Sequence, residues 1–279
     1  MDPLIVSSKQ VLSWRKKLLC QGGRSVDLDW LLDLGGGLTW TSLMQIHIDP
    51  SKTFVLNKSL EALEALWIKH LNENIPLQYL IGVCPWRDFE LEVSPAVLIP
   101  RQETELVVDF ALEIFNQDTN GIWVDLGTGS GAIAIGLEKS FPSWNGHAVD
   151  LSEEAIIIAR KNLERLSPDV KCMTHIGDWW EPIKPWWGTF NLVIANPPYI
   201  PSKMIGKLDS IVRDNEPLMA LSGGPDGLES FRDIISNSLN KFAPKGCFIL
   251  EHHHDQSDMI LHMLDEEGFK HITFKNDIE

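Results

Sequence analysis

Apolar residues in the first part of the chain recur three and four positions apart, which is the spacing of amphipathic helices. The first two periodic segments each follow a serine and end at a run of glycines, residues that commonly begin and end helices. The third ends before Pro76, which cannot continue a helix. We therefore predict that residues 1–75 form a small all-helical domain. The periodic segments are 11–19, 26–34 and 60–71.

The pattern changes after Pro76. Residues 83–93 partly alternate between apolar and polar, as a short exposed hairpin does, and we assign 76–100 to a hairpin linker. From residue 101 onward, apolar runs of strand length alternate with helical patterns. This predicts an α/β domain, 101–279, in which helices cover both faces of a parallel sheet. The predicted strands include 122–126, 146–149, 170–177 and 191–195.

Charge is distributed unevenly along the chain. Of the formal net charge of −15, residues 101–279 contribute −13. Such an acidic surface repels a phosphate backbone, so we expect no direct binding to duplex DNA. Two interpretations of the acidity stay open: it attracts a basic partner, or it serves solubility alone.

Composition places the chain among ordinary globular proteins. It has 279 residues, of which 44% are hydrophobic and 23% charged, and this length allows two domains. No apolar run approaches the length of a membrane span, and the first residues do not resemble a signal peptide. The four cysteines are scattered, without CxxC or metal-ligand spacing. We therefore expect a cytoplasmic protein with reduced thiols.

A glycine-rich loop follows the apolar run 122–126 and precedes a helical pattern that starts at Ala132. Glycines are needed where the backbone turns sharply and a ligand comes close to it. Nineteen residues after the loop, the next predicted strand ends at Asp150, whose carboxylate can accept both hydroxyls of a ribose. Together these features predict a site for an adenosine-containing cofactor. The loop consists of Gly127, Thr128, Gly129, Ser130 and Gly131.

The sequence of this loop distinguishes two cofactors. A dinucleotide site usually has GxGxxG, whereas this loop is GTGSG with Asp125 ahead of it. A carboxylate there favours the cationic methionine end of S-adenosylmethionine, so we predict this cofactor rather than NAD. After the next strand, Asp178 can accept from the adenine amino group while Trp179 covers the ring. A solvated acid beside a packing tryptophan is the alternative.

The segment Asn196-Pro197-Pro198-Tyr199 follows the apolar run 191–195. The prolines have no N–H, so their carbonyls are free to point into a site as acceptors, and Asn196 adds another acceptor. Tyr199 adds a flat face. The set suits a planar –NH2 group that must be held while its nitrogen attacks; an ordinary Asn-Pro turn is the alternative. We predict that all four residues bind substrate, that Asn196 also borders the cofactor, and that Asn196, Pro197 and Tyr199 are catalytic.

Two further groups of polar residues attract attention. Residues 251–255 include three histidines, but adjacent side chains at a strand end face opposite ways, so we predict no metal site there. Arg101 and Glu103 lie between the predicted domains. They either orient the domains or line the substrate channel, and we favour a structural role for both.

In these segments the chain resembles the release factor glutamine methyltransferases, the PrmC/HemK family. NPPY alone is shared with adenine-specific DNA methyltransferases. The IPRxETE segment at 99–105 and the GGxDGL segment at 223–228 narrow the resemblance to this family. The matching segments are 76–82, 98–105, 125–131, 196–200, 216–221, 223–228 and 246–252.

The resemblance implies methyl transfer to the side-chain nitrogen of the glutamine in the GGQ motif of peptide-chain release factors, which are then the partners. It implies a class I S-adenosylmethionine methyltransferase fold with seven strands, the last antiparallel. It also implies that residues 1–75 recognise the substrate. The sequence stops at Glu279, before the Gly and Arg that usually lead into the last strand, so we expect that strand to be absent. We expect a monomer.

Other functions stay open. A methyltransferase acting on adenine N6 of a nucleic acid presents the same –NH2 geometry to Asn196, although the acidity of 101–279 argues against it. A non-catalytic binding protein with the cofactor fold is a second alternative, against which the intact segment 196–199 argues. An NAD-dependent oxidoreductase is the most distant alternative.

Overall fold

The computed structural model describes residues 4–115, 119–167, 169–236 and 238–276. The chain divides into two compact units: the first comprises Met1–Val83 and Ser210–Asn215, and the second Cys84–Asp209 and Glu216–Glu279. The division therefore falls after residue 83, whereas the sequence placed it at 75. The reason is that residues just after Pro76 belong to the first core, in which Leu77 is buried.

The first unit contains the three helices expected from the periodicity. Ser7 begins the first with a capping box, in which its hydroxyl accepts from the amide of Gln10 and its own amide donates to the Gln10 side chain. Val11, Leu63 and Trp67 are fully buried in the core. Its elements are β1 Leu4–Ser7, α1 Ser8–Leu19, α2 Ser25–Trp30 with a π-helical turn Leu31–Gly35, α3 Trp40–Ile48, β2 Thr53–Leu56, α4 Leu60–Glu73, α5 Leu77–Ile81 and, from the later segment, α10 Ser210–Arg213.

The expectation of an all-helical first unit is wrong, because β1 and β2 pair as an antiparallel ribbon from Leu4↔Leu56 to Ser7↔Thr53. Each strand has four residues, too few to show a clear period of two among helical segments. The helix α3 was not predicted either. Its apolar residues lie on both sides, with Ile46 buried and Ile48 exposed, and so they lose the helical period.

The second unit begins with the predicted hairpin and continues as alternating strands and helices. Its strands are β3 Val83–Trp86, which starts at the division, β4 Phe89–Glu92, β5 Ile122–Leu126, β6 Asn145–Asp150, β7 Cys172–Ile176, β8 Phe190–Ala195 and β9 Phe242–Leu250. Its helices are α6 Glu105–Ile114, α7 Ala132–Ser140, α8 Glu153–Leu166, α9 Ser202–Ile205, α11 Leu218–Leu221, α12 Glu229–Ile235 and α13 Ser257–Glu266.

The central sheet has the order β7-β6-β5-β8-β9, and every neighbouring pair is parallel. In the register of β5, Leu126 lies opposite Val149 of β6 and Ala195 of β8. The loops that follow these three strands therefore start side by side at one edge of the sheet. This is the edge at which open α/β sheets bind ligands.

The sheet has five strands in the part of the chain that the structure describes, rather than the seven that the resemblance implied. The antiparallel last strand was expected to be absent, but the segment before it is not a strand either: 269–276 has neither helix nor strand structure. A strand requires a hydrogen-bonded neighbour, and among the described residues no strand follows β9. Residues 277–279, which end the segment expected to precede the last strand, lie outside the described residues.

Two expectations from composition can be compared with the described residues. None of their helices is long and apolar enough to cross a bilayer. The cysteines at 20, 84, 172 and 247 are all free.

Candidate active site

A cavity of about 560 Å³ opens at the carboxyl-terminal edge of the sheet. Its volume lies within the range of roughly 300–1,000 Å³ found for ligand pockets. All its walls come from the second unit. They are the loops after β5, β6, β7 and β8, the starts of α7, α8 and α12, and segments 96–104 and 217–222.

The glycine-rich loop has a backbone that only glycine adopts easily. Gly127, Gly129 and Gly131 have φ angles of 81°, 55° and 84°, in the left-handed region. A Cβ at Gly131 would lie 3.2 Å from the Cα of Ala159, so the loop also packs tightly against α8. Gly127, Thr128, Gly129 and Ser130 line the cavity, whereas Gly131 caps α7 behind it.

Asp125 lies beneath this loop and has no exposed surface. The Thr128 hydroxyl donates to its carboxylate over 2.6 Å. Burial raises the pKa of Asp125 to about 7, and the nearby charge of Asp150 adds to the shift. The structure therefore places Asp125 as a support of the loop, outside the cavity wall, and direct contact with the cofactor stays a prediction.

Asp150 ends β6 and does line the cavity. One carboxylate oxygen accepts from the amide of Gly129 at 2.8 Å and the other from the amide of Ser152 at 2.9 Å. These bonds fix the plane of the carboxylate, and each oxygen keeps a lone pair that can accept from a ribose hydroxyl. Burial raises the pKa of Asp150 above its ordinary value.

Asp178 and Trp179 follow β7 and line the same cavity. Trp179 has a φ of 35°, which is rare for so large a residue and marks a constrained turn. Its ring covers Gly127: a Cβ built there would lie 3.3 Å from Trp179 Cζ3. The glycine cradle, the fixed carboxylate and the aromatic wall together fit the adenosine part of S-adenosylmethionine.

The four residues after β8 are not equivalent. Asn196 and Pro198 line the cavity, whereas Pro197 is buried and is not part of its wall. Tyr199 packs against the apolar cluster around Leu228, and its carbonyl accepts from Gln256 at 3.0 Å. The catalytic roles of Pro197 and Tyr199 stay predictions.

Asn196 is held by a residue that the sequence did not indicate. Its Nδ2 donates to the hydroxyl of Thr104 at 3.1 Å. The carboxamide therefore has its donor end engaged, which leaves Oδ1 as its acceptor. Thr104 lies inside the IPRxETE segment, so the motif was visible but the contact was not.

Arg101 lines the cavity, which was one of the two roles considered for it, and segment 217–222 adds a wall that the sequence did not identify. Arg101 donates to both carboxylate oxygens of Glu216, at 2.7 and 2.9 Å, and the Glu216 side chain is almost fully buried. This ion pair joins two segments of the cavity wall and agrees with the structural role favoured for Arg101. Leu218 and Met219 also line the cavity while more than half of each remains exposed.

The remaining polar groups lie outside the cavity. Glu103 is exposed and not part of the wall. The histidines of 251–255 follow β9, and His253 Nδ1 lies 2.7 Å from an oxygen of Asp255. Among the described residues, no group of three or more His, Cys, Asp or Glu is arranged to hold a metal ion.

Comparison with known proteins agrees with this geometry. Residues 102–213 match the family model of the methyltransferase small domain. The chain is 49% identical to the release factor glutamine methyltransferase of Prochlorococcus marinus, over 98% of this chain and 94% of that protein. It is 34% identical to the enzyme of the same name from Synechocystis sp., over 100% of this chain and 96% of the relative.

Among solved structures, the fold is similar to that of the hMettl16 catalytic domain in complex with MAT2A 3'UTR hairpin 6. The TM-score is 0.50 at 16% identity, covering 78% of this chain and 77% of that one, and this supports the fold alone. The matches confirm the predicted class of methyltransferase, with S-adenosylmethionine as the methyl donor. The chain belongs to the release factor glutamine methyltransferase family.

Proposed function

We propose that this protein methylates the side-chain N5 of the glutamine in the GGQ motif of peptide-chain release factors. The names of its relatives support this substrate. The observation that carries the proposal is the carboxamide of Asn196, which lines the cavity with its Nδ2 already bonded to Thr104. Its Oδ1 is then the end available to a substrate that brings N–H groups.

A glutamine amide is a poor nucleophile because its lone pair is delocalised into the carbonyl. Position is therefore the main contribution that the protein can make, and alignment of this kind is worth about 7–11 kcal/mol in favourable cases. In the proposed arrangement, Asn196 Oδ1 and the Pro197 carbonyl each accept one N–H of the amide. Tyr199 packs against the amide plane.

S-adenosylmethionine, when bound, supplies the electrophilic methyl group. The acceptor nitrogen becomes acidic once it is methylated, and its proton can then leave to water. The proposed reaction therefore requires no dedicated general base among the cavity residues.

The first unit is proposed to recognise the release factor, and the protein is proposed to act as a monomer in the cytoplasm. The charge supports a protein partner over a nucleic acid, since residues 101–279 contribute −13 to the net charge of −15. A basic surface on the partner would complement this charge.

Mass spectrometry of a bacterial release factor, after incubation with the protein and S-adenosylmethionine, tests the proposal. We expect one added methyl group on the GGQ glutamine and none on a release factor with glutamate at that position. Asn196→Ala should lower the rate at least about 100-fold, since it removes the alignment of the acceptor, with little change in cofactor affinity.

An adenine-containing RNA hairpin and a DNA duplex serve as competing substrates in the same assay. Methylation of either nucleic acid, with the glutamine unchanged, would contradict the proposal and favour the adenine N6 alternative.

A further inference from the structure

The contact between Asn196 and Thr104 joins two residues that are 92 positions apart. Thr104 directly precedes α6, is only 5% exposed, and lines the cavity together with Asn196. Its hydroxyl oxygen accepts from Asn196 Nδ2 at 3.1 Å. The fold thus provides a specific hydrogen-bond partner for the residue on which methyl acceptance depends.

A carboxamide has a donor end and an acceptor end of nearly the same size, and a half-turn about its last side-chain bond exchanges them. Shape alone therefore does not decide which end of Asn196 is presented to a substrate. With Nδ2 on Thr104, the other end is Oδ1, which accepts from an N–H. The Thr104 hydroxyl could also donate to Oδ1 of a reversed amide, but the –NH2 group of Asn196 would then meet the –NH2 group of the acceptor, and neither could accept. Thr104 therefore fixes where the carboxamide lies, and the acceptor selects the end that it meets.

Thr104 itself is held in place by the segment before it. The Arg101 side chain is fixed by its paired bonds to Glu216, at 2.7 and 2.9 Å. The Arg101 carbonyl accepts from the Trp86 indole at 2.8 Å. On the other side, the Thr104 carbonyl accepts from Val107 at the start of α6. The hydroxyl therefore has a fixed position against which the amide can be oriented.

We propose that Thr104 is a positioning residue, whose hydroxyl holds the Asn196 carboxamide at the cavity wall, where Oδ1 can accept from the N–H of the methyl acceptor. The inference rests on the proposed function, because it takes the acceptor to be an amide with N–H groups. It assigns Thr104 no contact with the reacting atoms.

Thr104→Val keeps the shape of the side chain and removes the hydroxyl, whereas Thr104→Ser keeps the hydroxyl. We expect the valine variant to lower kcat on a release factor about tenfold, the effect of one lost hydrogen bond, with the calorimetric Kd for S-adenosylmethionine unchanged. The serine variant should stay within about threefold of the parent. In an Asn196→Ala background, Thr104→Val should have no further effect, because the group it orients is gone.

A second measurement does not depend on activity. The side-chain NH2 signals of Asn196 are assigned in amide NMR spectra by their disappearance in Asn196→Ala. We expect these signals to shift and exchange faster with water in Thr104→Val, and to recover in Thr104→Ser. If the valine variant does not fold, Thr104→Ala takes its place in both measurements.

The outcomes separate this inference from the proposed function. A parent protein that methylates no GGQ glutamine refutes the proposed function, and unchanged Asn196 signals in Thr104→Val then refute the inference as well. With an active parent, three results each overturn the inference. They are an unchanged kcat in Thr104→Val, an equal loss of cofactor affinity, and an undiminished effect of Thr104→Val in the Asn196→Ala background.

Discussion

The two ends of the cavity differ in what determines their geometry. At the glycine-rich end, backbone conformation dominates. Gly127 has a φ of 81°, and Asp150 is fixed by two backbone amides, that of Ser152 two positions on and that of Gly129, which is 21 positions away in the loop after the adjacent strand. At the other end, a single side chain, Asn196, is oriented by Thr104, which is 92 positions away. The first end is a local structure, and the second exists only when distant segments meet.

This difference predicts how each end responds to substitution. Changes at the glycine-rich end should act on cofactor affinity, because the loop and the Asp150 carboxylate are predicted to contact the cofactor. Changes at Asn196 and Thr104 should act on turnover, because they orient the acceptor. The turnover side is tested by the Asn196 and Thr104 variants described above, and the following experiments test the glycine-rich end.

Among these experiments the largest effect is expected for Asp150→Ala, which removes the two oxygens predicted to accept from the ribose and frees the amides of Gly129 and Ser152. Hydrogen bonds to a charged group contribute about 1.5–3 kcal/mol each, so we expect cofactor affinity to fall about 100-fold. Titration calorimetry with S-adenosylmethionine measures this. Asp88→Ala, at an exposed carboxylate outside the cavity, is the matched control. A variant that binds as tightly as the parent would show that the ribose assignment is wrong.

A smaller effect is expected for Gly127→Ala, where the φ of 81° costs an alanine about 1–2 kcal/mol. The added Cβ also meets the Trp179 ring at 3.3 Å, which should lower cofactor affinity about tenfold. Gly82→Ala is the control, because its φ is 85° and no atom lies within 4 Å of the new Cβ. The Gly82→Ala variant should lose as much stability in thermal unfolding as Gly127→Ala, without loss of cofactor affinity. Equal cofactor affinities in the two variants would show that Trp179 does not contribute to the cofactor site.

The smallest effect is expected for Asp125→Asn and concerns stability without cofactor. The folded pKa of Asp125 is raised to about 7, above the unfolded value, so the folded state holds the proton more tightly. Stability from this group is present at low pH and is lost as pH rises towards and through 7. Asparagine does not titrate, so the unfolding free energy of the variant should rise relative to that of the parent by roughly 1–2 kcal/mol between pH 6 and pH 8, or about 4 °C in Tm. Parallel Tm curves over this range would contradict the buried-carboxylate assignment.

Much of the glycine-rich end could be predicted from the sequence, because its determinants are close in the chain. The apolar runs at 122–126 and 146–149 became β5 and β6, and the residues after them line the cavity as expected. Asp125 is the exception. Its position next to the loop was visible, but its burial depends on the helices that cover the sheet.

The Asn196 end could be predicted only in part. The motif indicated the amide, but the bond to Thr104 requires that β8 and the start of α6 lie together, which no local pattern encodes. The pairing of Arg101 with Glu216 is similar, since 115 positions separate the two residues. In the first unit, the pairing of β1 with β2 was missed for the same reason: strands of four residues become recognisable only as a pair.

The register of β5 and β8 has a consequence for how methyl acceptors can change. The glycine-rich loop, here the donor loop, leaves β5 after Leu126. The segment 196–199, here the acceptor loop, leaves β8 after Ala195, and Leu126 and Ala195 are direct partners in the sheet. Adjacent strands are about 4.8 Å apart, so the sheet itself fixes the starting distance between donor and acceptor loops. To methylate a different nitrogen-containing substrate, the protein then needs new residues only after Ala195 and in the segments that orient those residues. The scaffold can thus exchange its substrate while the methyl-donor site stays as it is.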